Sequence, residues 1–276
     1  MSGIGIELSS TTIKVVYNLD NEIIGLQLKQ VMDSQDTSIF PILYPGSKPE
    51  IDAEASERLV SQPEDVITNI VYGMEIMENQ DREKLAQKVE WGSPVTFEDG
   101  SFSYHIKSKD KEISISDTIQ CIFNIIQNIC AHIPKIQNKA VITVPPTFGK
   151  SATSIVEQAA SLFGTFAVIP HDLSALYSNN ITNGASLVIC CGEYFSTVSF
   201  HLGLNCVESR SFSDMDFPRE LFSFLQSHPS TSAESAAQLN DAALYAQARL
   251  LAFRVMRNSL FGPLDRFFCF SPRSDE

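Results

Sequence analysis

The stretch Lys139 to Gly164, KAVITVPPTFGKSATSIVEQAASLFG, decides how the rest of the chain is read. Ala140 to Val144 is a short, uncharged, β-branched run, the pattern expected of a strand covered on both faces. Pro145 and Pro146 end it, because proline offers no N–H to a strand ladder and fixes its own φ. Beyond Lys150, Ala152, Ile155, Val156, Ala159, Ala160 and Phe163 occupy one face of a helix. Gly164 stops that helix. By period alone this is a strand–turn–helix unit of an α/β domain.

The chain around it is long enough, at 276 residues, for one large or two modest domains. With 43% hydrophobic and 19% charged residues it has the composition of a folded globule. A net charge of −13 argues against direct nucleic-acid binding, which leans on clustered Lys and Arg. No stretch approaches the ~18 apolar residues that span a bilayer, and no leader-like N-terminus is evident, so a cytoplasmic protein without a membrane role is expected. The six cysteines show no CxxC spacing and five lie in apolar runs, which points to buried free thiols.

Upstream, Ile4 to Tyr17 reads as a hairpin around the polar cluster Ser9-Ser10-Thr11. Residues 22–62 are loop-rich, with a strand through Leu43 and an acidic helix from Asp52 to Val60. Pro94–Phe97 and Phe102–Ile106 read as a strand pair joined at Asp99-Gly100. Asp117 is expected to cap a helix whose apolar face runs through Ile122, Phe123, Ile126 and Ile133. Downstream come a strand at Phe166–Ile169, a strand–turn–strand at Ser186–Phe200, a helix at Phe217–Gln226 opened by Pro218, and Ala/Leu-rich helix from Ser232 to Asn258.

The wording of these segments, and not only their order, resembles the nucleotide-binding domain of the seventy-kilodalton heat-shock (DnaK-type) chaperones. VITVP, Phe148, the Ser-led helix, Ala167-Val168-Ile169 and Ser174-Ala175 carry the likeness, which extends over roughly residues 3–260. It implies an α/β, actin-like ATPase (ribonuclease H-like) fold with a complete first lobe and a truncated second lobe. Residues 1–183 would be the first lobe, with an inserted subdomain at about 35–113. Residues 184–276 would be a partial second lobe, and no peptide-binding domain would follow.

In that family the first hairpin carries an acidic residue followed by Leu-Gly-Thr-Thr, a turn that cradles phosphates. Here Glu7 stands for the aspartate, Ser9 replaces the glycine, and Ser10 and Thr11 keep two hydroxyls. The second hairpin corresponds to Asp-Leu-Gly-Gly-Gly-Thr. Cys190 takes the aspartate position, and Gly192 is the one surviving glycine, followed by Glu193-Tyr194-Phe195. The resemblance therefore marks Glu7, Ser9, Ser10, Thr11, Gly192 and Glu193 as candidate nucleotide-binding residues for ATP or ADP with Mg²⁺, and assigns no catalytic residue.

The family's chemistry is otherwise worn. Val71 stands where a lysine assists phosphate transfer, and His171-Asp172 replace a glutamate and a proline. Taken alone, His171 reads as a surface or satisfied histidine. Ser213-Asp214 replace two glycines ahead of the retained Asp216-Phe217, and Phe253 and Met256 replace a glutamate and a lysine. What the resemblance implies is a chaperone or co-chaperone in protein folding, akin to the ribosome-associated branch. It would work with a J-domain partner and with the ribosome or nascent chain, through a site that holds ATP without hydrolysing it. Two alternatives stand beside it: an active ATP-dependent chaperone in which Glu7 and Glu193 arrange Mg²⁺, and a truncated product without independent activity.

Overall fold

A computed structural model describes residues 3–10, 12–19, 22–25, 38–98, 101–133, 139–192, 194–213 and 267–270. The expected first hairpin is β1 (Gly3–Leu8) and β2 (Ile13–Leu19), registered with Leu8 opposite Ile13. β3 (Glu22–Gly25) and the two-residue β4 (Ser38–Ile39) pair with β2. β5 (Leu43–Tyr44) and β6 (Glu50–Ile51) pair ahead of α1 (Ala53–Ser61), within a residue of the helix read from the sequence. Two short helices, α2 (Ile70–Ile76) and α3 (Arg82–Ala86), lead into an antiparallel sheet of β7 (Val95–Glu98), β8 (Ser101–Ile106) and β9 (Lys111–Ser114).

Then follow α4 (Ile115–Cys130), β10 (Lys139–Val144), α5 (Lys150–Ala160), β11 (Thr165–Pro170) and α6 (His171–Ser178). β12 (Ala185–Cys191), β13 (Phe195–Leu202), β14 (Asn205–Ser213) and β15 (Phe267–Phe270) complete the described elements. Two larger sheets result. The first runs β11-β10-β1-β2-β3, parallel from β11 to β1 and antiparallel from there. The second is antiparallel throughout, in the order β14-β13-β12-β15. The chain is thus a mixed α/β protein, and among its described residues no helix is long and apolar enough to cross a membrane.

The main core forms where α4 and α5 lie on one face of the first sheet. Ile6, Leu8 and Ile142 from the strands meet Ile122, Phe123 and Val156 from the helices, all essentially solvent-free. At about 1.5–3 kcal/mol for each fully buried large aliphatic, this layer dominates the stabilisation of the region. Phe102, Tyr104 and Ile106 of β8 belong to the same buried cluster, so the small sheet shares this core. The expectation that Ala140–Val144 is covered on both faces fails. Burial along β10 alternates, and Val141 is 44% exposed because both helices stack on the opposite side of the sheet.

The start of α4 is a second correction. Its N-cap is Ser114, whose Oγ accepts from the Asp117 N–H at 3.0 Å, while Asp117 answers by accepting from the Ser114 hydroxyl at 2.9 Å. Asp117 sits at the third helical position, and its carboxylate bonds the cap's hydroxyl in place of the backbone N–H that a capping box would engage. The end of the α5 unit is as expected: a single tight turn at Ser161–Phe163 closes on Gly164, whose φ of 76° favours glycine. Cys121, Cys130 and Cys190 are half-buried or buried free thiols, and burial pushes the Cys130 thiol up to about 11. Cys206 departs from that pattern by lying exposed. The helices expected at 217–226 and 232–258 lie outside the described residues.

Candidate functional site

The turns of the two large hairpins converge on one cavity, which encloses about 40 Å³. Glu7, Ser9 and Ser10 line it from the first hairpin; Cys190, Gly192, Phe195 and Thr197 line it from the second. The wall is completed by Pro145, Pro146 and Thr147 after β10, by Glu75 of α2, and by His171 at the start of α6. Of the residues picked from the sequence, Glu7, Ser9, Ser10 and Gly192 are therefore brought together, while Thr11 and Glu193 lie outside the described residues. His171 is a buried wall residue and not a surface histidine.

Three of these residues already serve the local structure. Glu7 stands opposite Lys14 in the hairpin register, and the two pair at 3.6 Å. The Ser9 hydroxyl donates to the Thr12 carbonyl at 2.8 Å and accepts from the Thr12 N–H at 3.1 Å, so it holds its own turn closed. Gly192 donates its N–H to the Phe195 carbonyl at 3.0 Å, and a Cβ at this position would collide with that oxygen. A tight turn is thus sufficient reason for glycine here.

The helix that precedes the small sheet presents a different residue from the one expected. Val71 is wholly buried in the main core, and Glu75, one turn later, reaches the cavity, where its carboxylate accepts from the Thr147 hydroxyl at 2.6 Å. The Glu78 carboxylate beyond it receives the Ser151 N–H at the start of α5. Hydrogen bonds from Ser151, first its hydroxyl and then its N–H, hold the Glu78 carboxyl below the usual range. A Cβ on Gly149 would collide with that carboxylate, so glycine lets the two approach.

Aromatic side chains of the second turn pack on α2 beside the cavity. Tyr194 and Phe195 lie 4.3 and 6.0 Å, centroid to centroid, from the ring of Tyr72 on α2. Tyr72 is itself anchored by donating its hydroxyl to the Leu85 carbonyl at 2.9 Å. Tyr194 and Phe195, which follow the surviving glycine in sequence, thus pack down against α2.

The cavity bounded by the described residues is smaller than a usual nucleotide site. Ligand sites usually offer ~300–1,000 Å³, whereas 40 Å³ accommodates about three waters. Among the described residues the lining contributes two carboxylates, Glu7 and Glu75, and no Lys or Arg. Three wall residues, Glu75, Thr147 and Thr197, were not singled out from the sequence. Thr197 could have been found by alternation, since it lies two positions after Phe195 on a strand whose polar residues Thr197, Ser199 and His201 all point inward. Glu75 and Thr147 meet across 72 positions of sequence, which no local pattern announces. Compared with known proteins, the chain matches no protein-family model, and no curated protein matches it significantly.

Proposed function

We propose that this chain is a divergent relative of the seventy-kilodalton heat-shock chaperones, with an actin-like arrangement of two sheets, acting as a chaperone or co-chaperone without turning over ATP. The observation that carries this is the convergence of the turns. Three segments that the resemblance ties to nucleotide, at Glu7–Ser10, His171 and Cys190–Gly192, border one cavity together with the turn Pro145–Thr147. Their meeting supports the resemblance, which sets segments of the same order around one cleft. The chemistry at that meeting point has been exchanged for structure: a closed Ser9 turn, a Glu7–Lys14 pair, a core valine at Val71 and an aromatic contact with α2.

An active ATPase is the weaker reading. It needs Glu7 to organise Mg²⁺, but the Glu7 carboxylate already faces Lys14. The partners to look for are a J-domain protein and the ribosome or nascent chain, in the cytoplasm.

The test uses the full chain. Calorimetric titration with Mg-ATP and phosphate release in the same sample are expected to show no release above the protein-free control. Suppression of aggregation of a heat-unfolded client, and sedimentation with ribosomes, are expected to be equal with and without nucleotide. Phosphate release that Glu7→Gln abolishes would establish the ATPase instead. Absence of both client protection and ribosome association would remove the chaperone reading.

A further inference from the structure

On the face that the second sheet turns toward α6, Val188 and Cys190 of β12 pack with Ala175 and Leu176, but the residues that β13 contributes are polar. Ser186 on β12 and Thr197, Ser199 and His201 on β13 are buried, while Leu187, Phe200 and Leu202 on the opposite face are exposed. Burying hydroxyls and an imidazole is costly unless each finds a partner. Among the described residues Ser186 Oγ, Thr197 Oγ1 and His201 Nδ1 have none. A strand with its polarity reversed in this way is informative, because a buried polar stripe needs a chemical reason.

At the end of the stripe three potential ligands meet from three elements. His201 and Cys206 are direct cross-strand partners in the β13–β14 hairpin, joined through the tight turn at Gly203, whose φ is 59°. An irregularity in the register between Phe200 and His201 re-aims the strand there. Asp172, second residue of α6, is fixed by accepting the Leu173 N–H at Oδ1, 2.8 Å, and turns Oδ2 to His201 Nε2 at 3.2 Å. One donor atom from each residue lies within 4.8 Å of the others. Tetrahedral zinc bonds of ~2.0–2.3 Å need donor separations of roughly 3.3–3.8 Å, so a movement of about an ångström at the exposed Cys206 closes the set.

We infer that Asp172, His201 and Cys206 form a binding site for a zinc-class divalent cation, with a fourth position open to solvent on the Cys206 side. The donor set suits that ion. Carboxylate, imidazole and thiolate together neutralise a dication, and a mixed O, N, S set favours borderline-soft zinc over magnesium or calcium. A Cys–His–Asp nucleophile is the competing arrangement of the same residues. It would need the thiol proton directed at the imidazole, and Cys206 directs it at the Glu208 carbonyl, 3.6 Å away. The bound ion would tie α6, which follows the first sheet, to the second sheet, one residue from the His171 wall of the cavity. It does not depend on the nucleotide reading.

Cobalt(II) titration of the metal-stripped full chain tests this, with Zn²⁺ as competitor. The expected result is a thiolate-to-cobalt charge-transfer band with four-coordinate d–d absorption, saturating at one equivalent and bleached by Zn²⁺. In Cys206→Ser the charge-transfer band disappears and affinity falls by at least the ~10–100-fold that loss of even an outer-shell partner costs. Because Cys206 is exposed, this variant is expected to keep the wild-type circular dichroism and metal-free melting temperature. His201→Gln is the second variant and is expected to abolish the four-coordinate spectrum. No thiolate band in the wild type, or an unchanged band in folded Cys206→Ser, overturns the site by assigning cobalt to nothing or to another thiol.

Discussion

Tyr194 on the second hairpin sets its ring 4.3 Å from that of Tyr72 on α2, tilted by 43°. The contact joins the second hairpin to a helix of the main body, next to Phe195, which lines the cavity. Both rings are buried, so the pair combines area burial with an aromatic contact. Tyr194→Ala is expected to lower unfolding free energy by about 3 kcal/mol, read from urea denaturation. A loss below about 1 kcal/mol would mean that the pair does not hold the hairpin down.

Restoring the family's glycine in the first turn should not restore its chemistry. In Ser9→Gly the side-chain hydrogen bonds to Thr12 are lost, and the freed backbone gains entropy when unfolded. Stability is expected to fall by about 1–2 kcal/mol, with no gain in Mg-ATP binding by calorimetry. Micromolar binding by this variant would show that Ser9 alone was blocking the site.

Val71→Lys asks the same question of α2. The position is solvent-free within the main core, where an ammonium group must shed its water or its proton. The expected outcome is loss of more than about 3 kcal/mol, visible as a collapsed melting temperature or insoluble protein. A stable variant that also releases phosphate would place this position at the cavity after all.

Glu78 supplies a pH-dependent term. Hydrogen bonds from Ser151 depress its folded-state pKa below the ordinary 4.5 of a glutamate. A depressed acid stabilises the fold above its unfolded pKa, and that contribution fades as pH falls through the folded value. The carboxylate is exposed, so the gain over Glu78→Gln is expected to be only roughly 0.3–1 kcal/mol near neutrality, declining below pH 4.5. A difference between the two proteins that grows with acidification would contradict the assignment.

Local chemistry was legible wherever it acts within a few residues. Proline ended β10, glycine with positive φ ended the α5 unit, and the polar cluster after Leu8 made a hairpin. Asp117 is not the cap, because Ser114, which it bonds reciprocally, is the residue outside the helix, and sequence alone does not say which of the two that is. The exposed Val141 was hidden for another reason. A β-branched run looks the same whether helices cover one face of a sheet or both, and only the placement of α4 and α5 decides it. At the cavity, membership could be guessed from segment order, but what the residues do there could not. Whether a serine holds phosphate or its own turn depends on a few tenths of an ångström at Thr12.

β1 is paired on both edges, and its two partners become available at very different times. β2 follows within the same hairpin, whereas β10 begins at Lys139, 131 positions after Leu8. At about 5–20 residues per second of synthesis, the apolar β1 edge waits roughly 7–26 s for its parallel neighbour. Throughout that interval the nascent hairpin presents Ile4, Ile6 and Leu8 without the layer that later buries them. While it is being made, this chain is therefore itself in need of a holding partner.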